Sequence, residues 1–230
     1  MNELASVFLS VFNHESVAYW CFSNFMLNDT YSTSSLTLNT NGMDNKHVLK
    51  TTVSYYFSTE GLSKKLKHLA HLLSIIDPQL YNLFEKFNMH NLNFCHEWLL
   101  LNFKRCFKTT KEYQHCFEIL SSQFFELHTS SRKKISIKNL YSFDLFVCLS
   151  LLKQMRKDLM NALCDTDIFE ILHSYNKKNL LANNFLETFH IAEEIFDKYS
   201  VITQLKDEND KKLKDQKSTK LDKFKDFIFN

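Results

Sequence analysis

Phe94-Cys95-His96-Glu97-Trp98-Leu99-Leu100-Leu101-Asn102-Phe103-Lys104-Arg105-Cys106-Phe107 is the stretch on which the fold turns. Phe94, Trp98 and Phe103 recur at helical spacing, so the segment predicts one helix from about Leu92 to Phe107 with an aromatic stripe facing a core. Lys104 and Arg105 follow the stripe as a pair of cations, suited to an ion pair or to contact with a partner.

The rest of the chain supports a helical reading. Its 230 residues hold 44% hydrophobic residues and 22 Phe, enough for a sizeable core. They hold only 2 Gly and 1 Pro, whereas hairpin turns need many residues at positive φ. Leu4, Val7, Phe8, Val11 and Phe12 follow the helical period, and Val17 to Phe22 is apolar on all sides, which predicts a central second helix. From 28 to 60 the chain turns polar and reads as a loop insert. Leu62, Leu66, Leu69, Leu72, Leu73 and Ile76 mark the next helix, and Asp77-Pro78 restarts another as N-cap and first residue, with Leu80, Phe84 and Phe87 inward. Thr109 and Glu112 have capping-box spacing ahead of Tyr113, Cys116, Phe117, Leu120 and Phe124. A basic linker at 128–141 precedes an apolar helix from Leu145 to Leu163 and a short one around Ile168–Leu172. Phe185, Phe189, Ala192 and Phe196 mark the last helix, and 201–230 is a charged tail.

Function classes fall away in turn. With Gly42 and Gly61 the only glycines, neither a phosphate-binding loop nor a dinucleotide fingerprint can be built. Net charge is +2 and only Arg105, Arg132 and Arg156 are arginines, which argues against nucleic acid as a partner. His68 and His71 lie one turn apart but lack further ligands, so no metal or other cofactor is expected. In Cys95-His96 and His115-Cys116 the adjacent side chains diverge by about 100°, so neither pair makes a nucleophile and base. The basic run Arg132-Lys133-Lys134 with Lys138 reads as a solvated loop. Six cysteines without a C-x-x-C pair, and no signal or spanning segment, suggest a cytoplasmic chain with at most peripheral membrane association.

The quoted stretch resembles the signature helix of TBC domains, the helical domains of Rab GTPase-activating proteins, which runs roughly F-C-x-R-W-L-L-x-x-F-K-R-E-F. Further segments agree in order: Glu15 to Phe25 with E-x-x-A-F-W-C-F, Leu72 to Tyr81 with L-L-x-x-x-D-P-x-L-Y, Cys116 to Leu120 with L-W-E-V-L, and Phe143 to Leu152 with F-H-L-F-V-x-L-A-I-L. The resemblance implies an all-α bundle over 1–200, the C-terminal portion of such a domain. It implies a Rab-type small GTPase as partner, in membrane trafficking and recruited to endomembranes. Asn2, Glu3, Lys104 and Arg105 become the GTPase-contact candidates. The family lends an arginine from I-x-x-D-x-x-R and a glutamine from Y-x-Q-G-M-N-D/E-L to the GTPase, the arginine alone being worth roughly 10³–10⁵ in rate. This sequence contains neither Asp-x-x-Arg nor Tyr-x-Gln and starts at the position that follows the glutamine and its glycine. The expectation is therefore a regulator of GTP hydrolysis if the missing N-terminal half of the domain exists and a non-catalytic binder otherwise, in neither case an enzyme or a bearer of catalytic residues within these 230; the alternative is a helical scaffold or adaptor with protein partners but no GTPase binding. Glu97 stands where the family has arginine, and Cys106 where it has glutamate. An uncovered apolar face around Ala5–Phe12 is also expected.

Overall fold

The computed structural model describes residues 2–27, 58–122, 141–178 and 180–199. Among them every regular element is a helix. Most of the polar insert expected at 28–60, nearly all of the basic linker, Val53–Tyr56, Phe124 and the tail lie outside the described residues.

Two helices, α1 (Asn2–Val11) and α2 (Glu15–Leu27), form an antiparallel hairpin. α1 buries Leu4 and Val7, with Phe8 partly buried against the core. Val11, within the face expected to be uncovered around Ala5–Phe12, is exposed. One expectation fails here: among the described residues α2 is peripheral rather than central and buries only Ala18 and Met26. Tyr19 and Trp20 are 61% and 65% exposed. An all-round apolar sequence demands cover, and among the described residues α1, with Phe117 against Phe25, supplies it on one side of α2.

The body begins at α3 (Thr59–Ile76), where Ser58 caps the N-terminus by accepting the Gly61 N–H. Its buried positions Leu62, Leu66, Leu69, Leu72 and Leu73 are those the period predicts. Asp77 ends α3 and caps α4 (Pro78–Lys86): its Oδ1 accepts the Leu80 N–H at 3.1 Å. Leu80 and Phe84 are buried as expected, and Phe87 packs partly buried against the core. α4 closes on Asn88 at φ 57°, with Met89 N donating to Phe84 O at 2.7 Å and Asn88 N to Glu85 O at 3.0 Å. That pair of reversed bonds is a Schellman closure, with asparagine in the left-handed seat usually taken by glycine.

The quoted stretch is not one helix. A 3-10 turn (Asn93–Cys95) leads into α5 (His96–Leu100), and a second 3-10 turn spans Lys104–Cys106. Between them the same closure recurs. Asn102 N donates to Leu99 O, and Phe103 N to Trp98 O at 2.8 Å, with Asn102 at φ 49° and Phe103 at φ 65°. A left-handed phenylalanine costs about 1–2 kcal/mol, and burying its ring gains about 1.5–3 kcal/mol. Phe103 is 1% exposed, so the strain is offset by the core.

α6 (Thr110–Ser122) opens on the predicted capping box: Thr109 Oγ1 accepts the Glu112 N–H, and Glu112 Oε2 accepts the Thr109 and Lys108 N–H groups. α7 (Phe143–Leu159) is the axis of the body, packing on α3, α5 and the following α8 (Asp165–Lys177). It ends earlier than expected; Leu163 is exposed. α8 is longer than the short helix expected around Ile168–Leu172. A short α9 (Leu180–Asn183) and α10 (185–199) complete the described chain, with Phe189, Ala192 and Phe196 buried. No described helix is long and apolar enough to cross a membrane.

Candidate functional site

Ending α5 at a Schellman turn sends the chain sideways, and this places Arg105. On a straight helix it would lie about 12 Å along the axis from Glu97 and turned about 80° away from it. On the second 3-10 turn its guanidinium instead bridges two carboxylates. Nη1 donates to Glu97 Oε1 at 2.6 Å, while Nε and Nη2 donate to Glu3 Oε1 at 3.1 and 2.8 Å. Three of the guanidinium's donors are thus spent on two elements far apart in sequence. The Arg105 hydrogen bonds hold the Glu3 carboxyl below its usual range, and both carboxylates raise Arg105 further above its own. The cluster is open to solvent, with Arg105 59% exposed, so it steers and latches more than it stabilises.

Lys104 lies beside it with a different role. Its Nζ donates to Thr110 Oγ1 at 3.0 Å and sits 5.7 Å from the ring centre of buried Tyr113, which ties the turn to the start of α6. Glu3, Lys104 and Arg105 are therefore neighbours across the α1 N-terminus and the second 3-10 turn; Asn2 is the exposed first residue of α1. The residue that sequence reasoning leaves out of the set is Glu97. Against the family pattern it is only a charge reversal, yet in the fold it is half of the clamp on Arg105. A glutamate eight residues before an arginine gives no helical-spacing signal, so the contact is visible only once the turn is known.

Behind the clamp is a cavity of about 250 Å³ walled by Trp98, Phe103, Cys106, Leu151, Met155 and Leu181, with Glu97 and Arg105 at its edge. Trp98 Nε1 donates to Asn176 Oδ1 at 3.1 Å, which fixes the indole against α8. Burial first, then the Glu97 carboxylate, push the Cys106 thiol up to about 12, so it packs as a neutral group. Cys95 and Cys116 are fully buried, and burial raises both thiols. His96 and His115 do not join them in any hydrogen bond; His115 faces Glu118 at 3.7 Å.

The two histidines of α3 both contact Tyr141. His71 Nδ1 pairs with the Tyr141 hydroxyl at 2.8 Å, and the His68 ring packs edge-on to the same tyrosine at 5.1 Å. Burial, then the Lys64 and His71 charges, lower the His68 pKa. Among the described residues no group of three or more His, Cys, Asp or Glu side chains is arranged to hold a metal ion.

The comparisons with known proteins bear on this arrangement. The family model for the Rab-GTPase-TBC domain matches residues 1–160. TBC1 domain family member 25 of Homo sapiens is 28% identical over 107 residues, which is 46% of this chain and 12% of the relative. Its Mus musculus counterpart matches with the same identity and coverage. The matched stretch thus spans only a small part of those relatives' length. No solved structure matches the chain. With a family model extending over more than half of its residues, on a helical bundle built around the signature stretch, the chain belongs to the Rab-GTPase-TBC domain family.

Proposed function

We propose that the chain binds a Rab-type small GTPase through the surface shared by the α1 N-terminus and the second 3-10 turn, with Asn2, Glu3, Lys104 and Arg105 as contacts. The observation that carries this reading is the match of residues 1–160 to the Rab-GTPase-TBC domain. Glu3 and Arg105 supply adjacent charges of both signs on an exposed patch, the kind of surface that fixes register and speeds encounter. The chain acts as a regulator of its partner's GTP hydrolysis and not as an enzyme with its own chemistry. Since neither finger pattern occurs in the sequence, acceleration of hydrolysis requires those groups from elsewhere, and the chain alone binds without activating. Such a protein works in the cytoplasm at trafficking membranes, recruited by its partner.

A second reading, a helical scaffold without GTPase binding, draws on one observation. Three donors of Arg105 are already committed inside the molecule, to Glu3 and Glu97. Immobilised chain exposed to a panel of Rab GTPases separates the two readings. Retention of the GTP form of a member over its GDP form supports the first, and loss of that retention in Arg105→Glu places the contact. Equal retention of both forms, or none, leaves the scaffold reading.

A further inference from the structure

A second cavity, of about 240 Å³, opens between the α3–α4 junction, α7 and α10, away from the Arg105 clamp. Its floor is aliphatic: Leu73, Leu80, Leu149, Leu152 and Ile195 are each no more than 4% exposed. Its rim is charged. Arg156 Nε and Nη2 donate to Asp77, and Nη2 also donates to Gln79. Lys153 stands 3.8 Å from Glu194, with both side chains more than half exposed. Lys198, one turn beyond Glu194 on α10, is exposed and, among the described residues, faces no carboxylate within ion-pair distance. Three cations thus meet two carboxylates, and both carboxylates already have partners. The first cavity has no such surplus, since one cation, Arg105, meets one carboxylate, Glu97, in its lining.

We infer that this second cavity is a binding site for a small aliphatic carboxylate, its chain on the leucine floor and its head at Lys198 and Lys153. An apolar floor with a few convergent polar groups is the general form of a small-molecule site. The volume falls below the roughly 300–1,000 Å³ of sites for drug-sized ligands, which selects a short single chain. A neutral molecule gains only the floor. A cation gains the floor and meets the surplus of positive charge.

The test titrates the full chain with octanoate, octanol and octylammonium, and reads affinity and position from backbone amide shifts. Octanoate is expected to bind saturably, with shifts grouped on 73–80, 149–156 and 194–198, and to bind at least about fivefold more tightly than octanol. Octylammonium should bind more weakly than octanol. Lys198→Met should bring octanoate down to the octanol value and leave octanol unchanged. Ile76→Trp, at the partly exposed edge, should weaken both; if that variant fails to fold, the Lys153→Met/Lys198→Met pair tests the site through the loss of octanoate binding alone. Equal affinities for octanoate and octanol overturn the proposal. So do octanoate shifts centred on the exposed rings of Tyr19 and Trp20, or no saturable shift at millimolar octanoate.

Discussion

α2 and α7 are both apolar around most of their circumference, and they meet opposite fates. α7 packs on α3, α5 and α8, and it buries every residue from Phe143 to Leu152, then Met155 and Leu159 on one side. α2 buries Ala18 and Met26 and turns Val17, Tyr19, Trp20 and Leu27 outward. Both helices ask for cover, and only one has it among the described residues. All-round apolarity therefore records a demand for burial without naming what supplies it. The hairpin is joined to the body along one edge. Phe8 and Phe25 meet Phe117 of α6 at 5.5 and 5.3 Å, Gln114 reaches Ser10, and Arg105 holds Glu3.

The largest effect should come from the enclosed side of that contrast. Phe146 on α7 is 1% exposed, with its ring edge-on to Phe196 at 5.0 Å. Phe146→Ala should cost about 3–5 kcal/mol in chemical denaturation, because the cavity it leaves is walled by rigid neighbours. A cost near zero would mean the body is as loosely covered as the hairpin, and the contrast would collapse.

Next comes Asp77, which both caps α4 and receives Arg156. Burial works against its ionised form, but the Arg156 guanidinium and the Leu80 and Gln79 N–H groups outweigh it and hold the carboxyl below its ordinary value. Asp77→Ala should cost about 1–2 kcal/mol at neutral pH through the lost cap. The sign of the pH dependence follows from the lowered pKa. The contribution is whole above the unfolded carboxylate range, around pH 4, and disappears as pH falls through the lower folded value. Wild type and Asp77→Ala should therefore converge as pH falls below the ordinary carboxylate range; a constant gap would remove the ion pair from the account.

Much of this architecture is legible in the sequence, and the misses share a cause. Caps formed by side chains close in sequence (Asp77 on Leu80, Thr109 with Glu112) appear where their spacing puts them. The leucine period of α3 likewise predicts its buried face. The quoted stretch fails as a single helix because its stop signal is an asparagine. In a chain with 2 Gly, Asn88 and Asn102 take the left-handed closing seats. Reading Asn102 as that signal ends α5 after Leu100 and brings Arg105 out of line. The Arg105–Glu3 contact, 102 residues apart, has no local trace at all. Pairing across such a separation follows from how helices pack, and one sequence does not fix that.

Arg105 is the charged fastening between the hairpin and the body, so a smaller effect should follow its removal, and it should be local. Arg105→Ala is expected to raise amide exchange in α1 while leaving the denaturation midpoint of the body in place. Raised salt should mimic it in the wild type, because the pair is open to solvent. Glu97→Arg, which restores the family residue, should loosen α1 further by facing Arg105 with a like charge. Unchanged exchange in both variants would assign the fastening to the Phe8–Phe25–Phe117 contacts and the Gln114–Ser10 hydrogen bond.

The smallest expected effect is the most informative about the hairpin. Trp20 is 65% exposed, and an uncovered tryptophan has little to lose. Trp20→Ser should change stability by less than about 0.5 kcal/mol while reducing the binding of an apolar dye. A large aromatic side chain buried against something else would behave otherwise, costing about 3–5 kcal/mol on truncation. The same substitution therefore weighs whatever lies on α2 in the whole molecule, including residues 28–57, 123–140 and 200–230 outside the described parts. A cost near zero leaves the face bare and available to a partner. A cost approaching that of Phe146→Ala would mean that α2 is as enclosed as α7, and that the two helices differ only in whether their cover lies among the described residues.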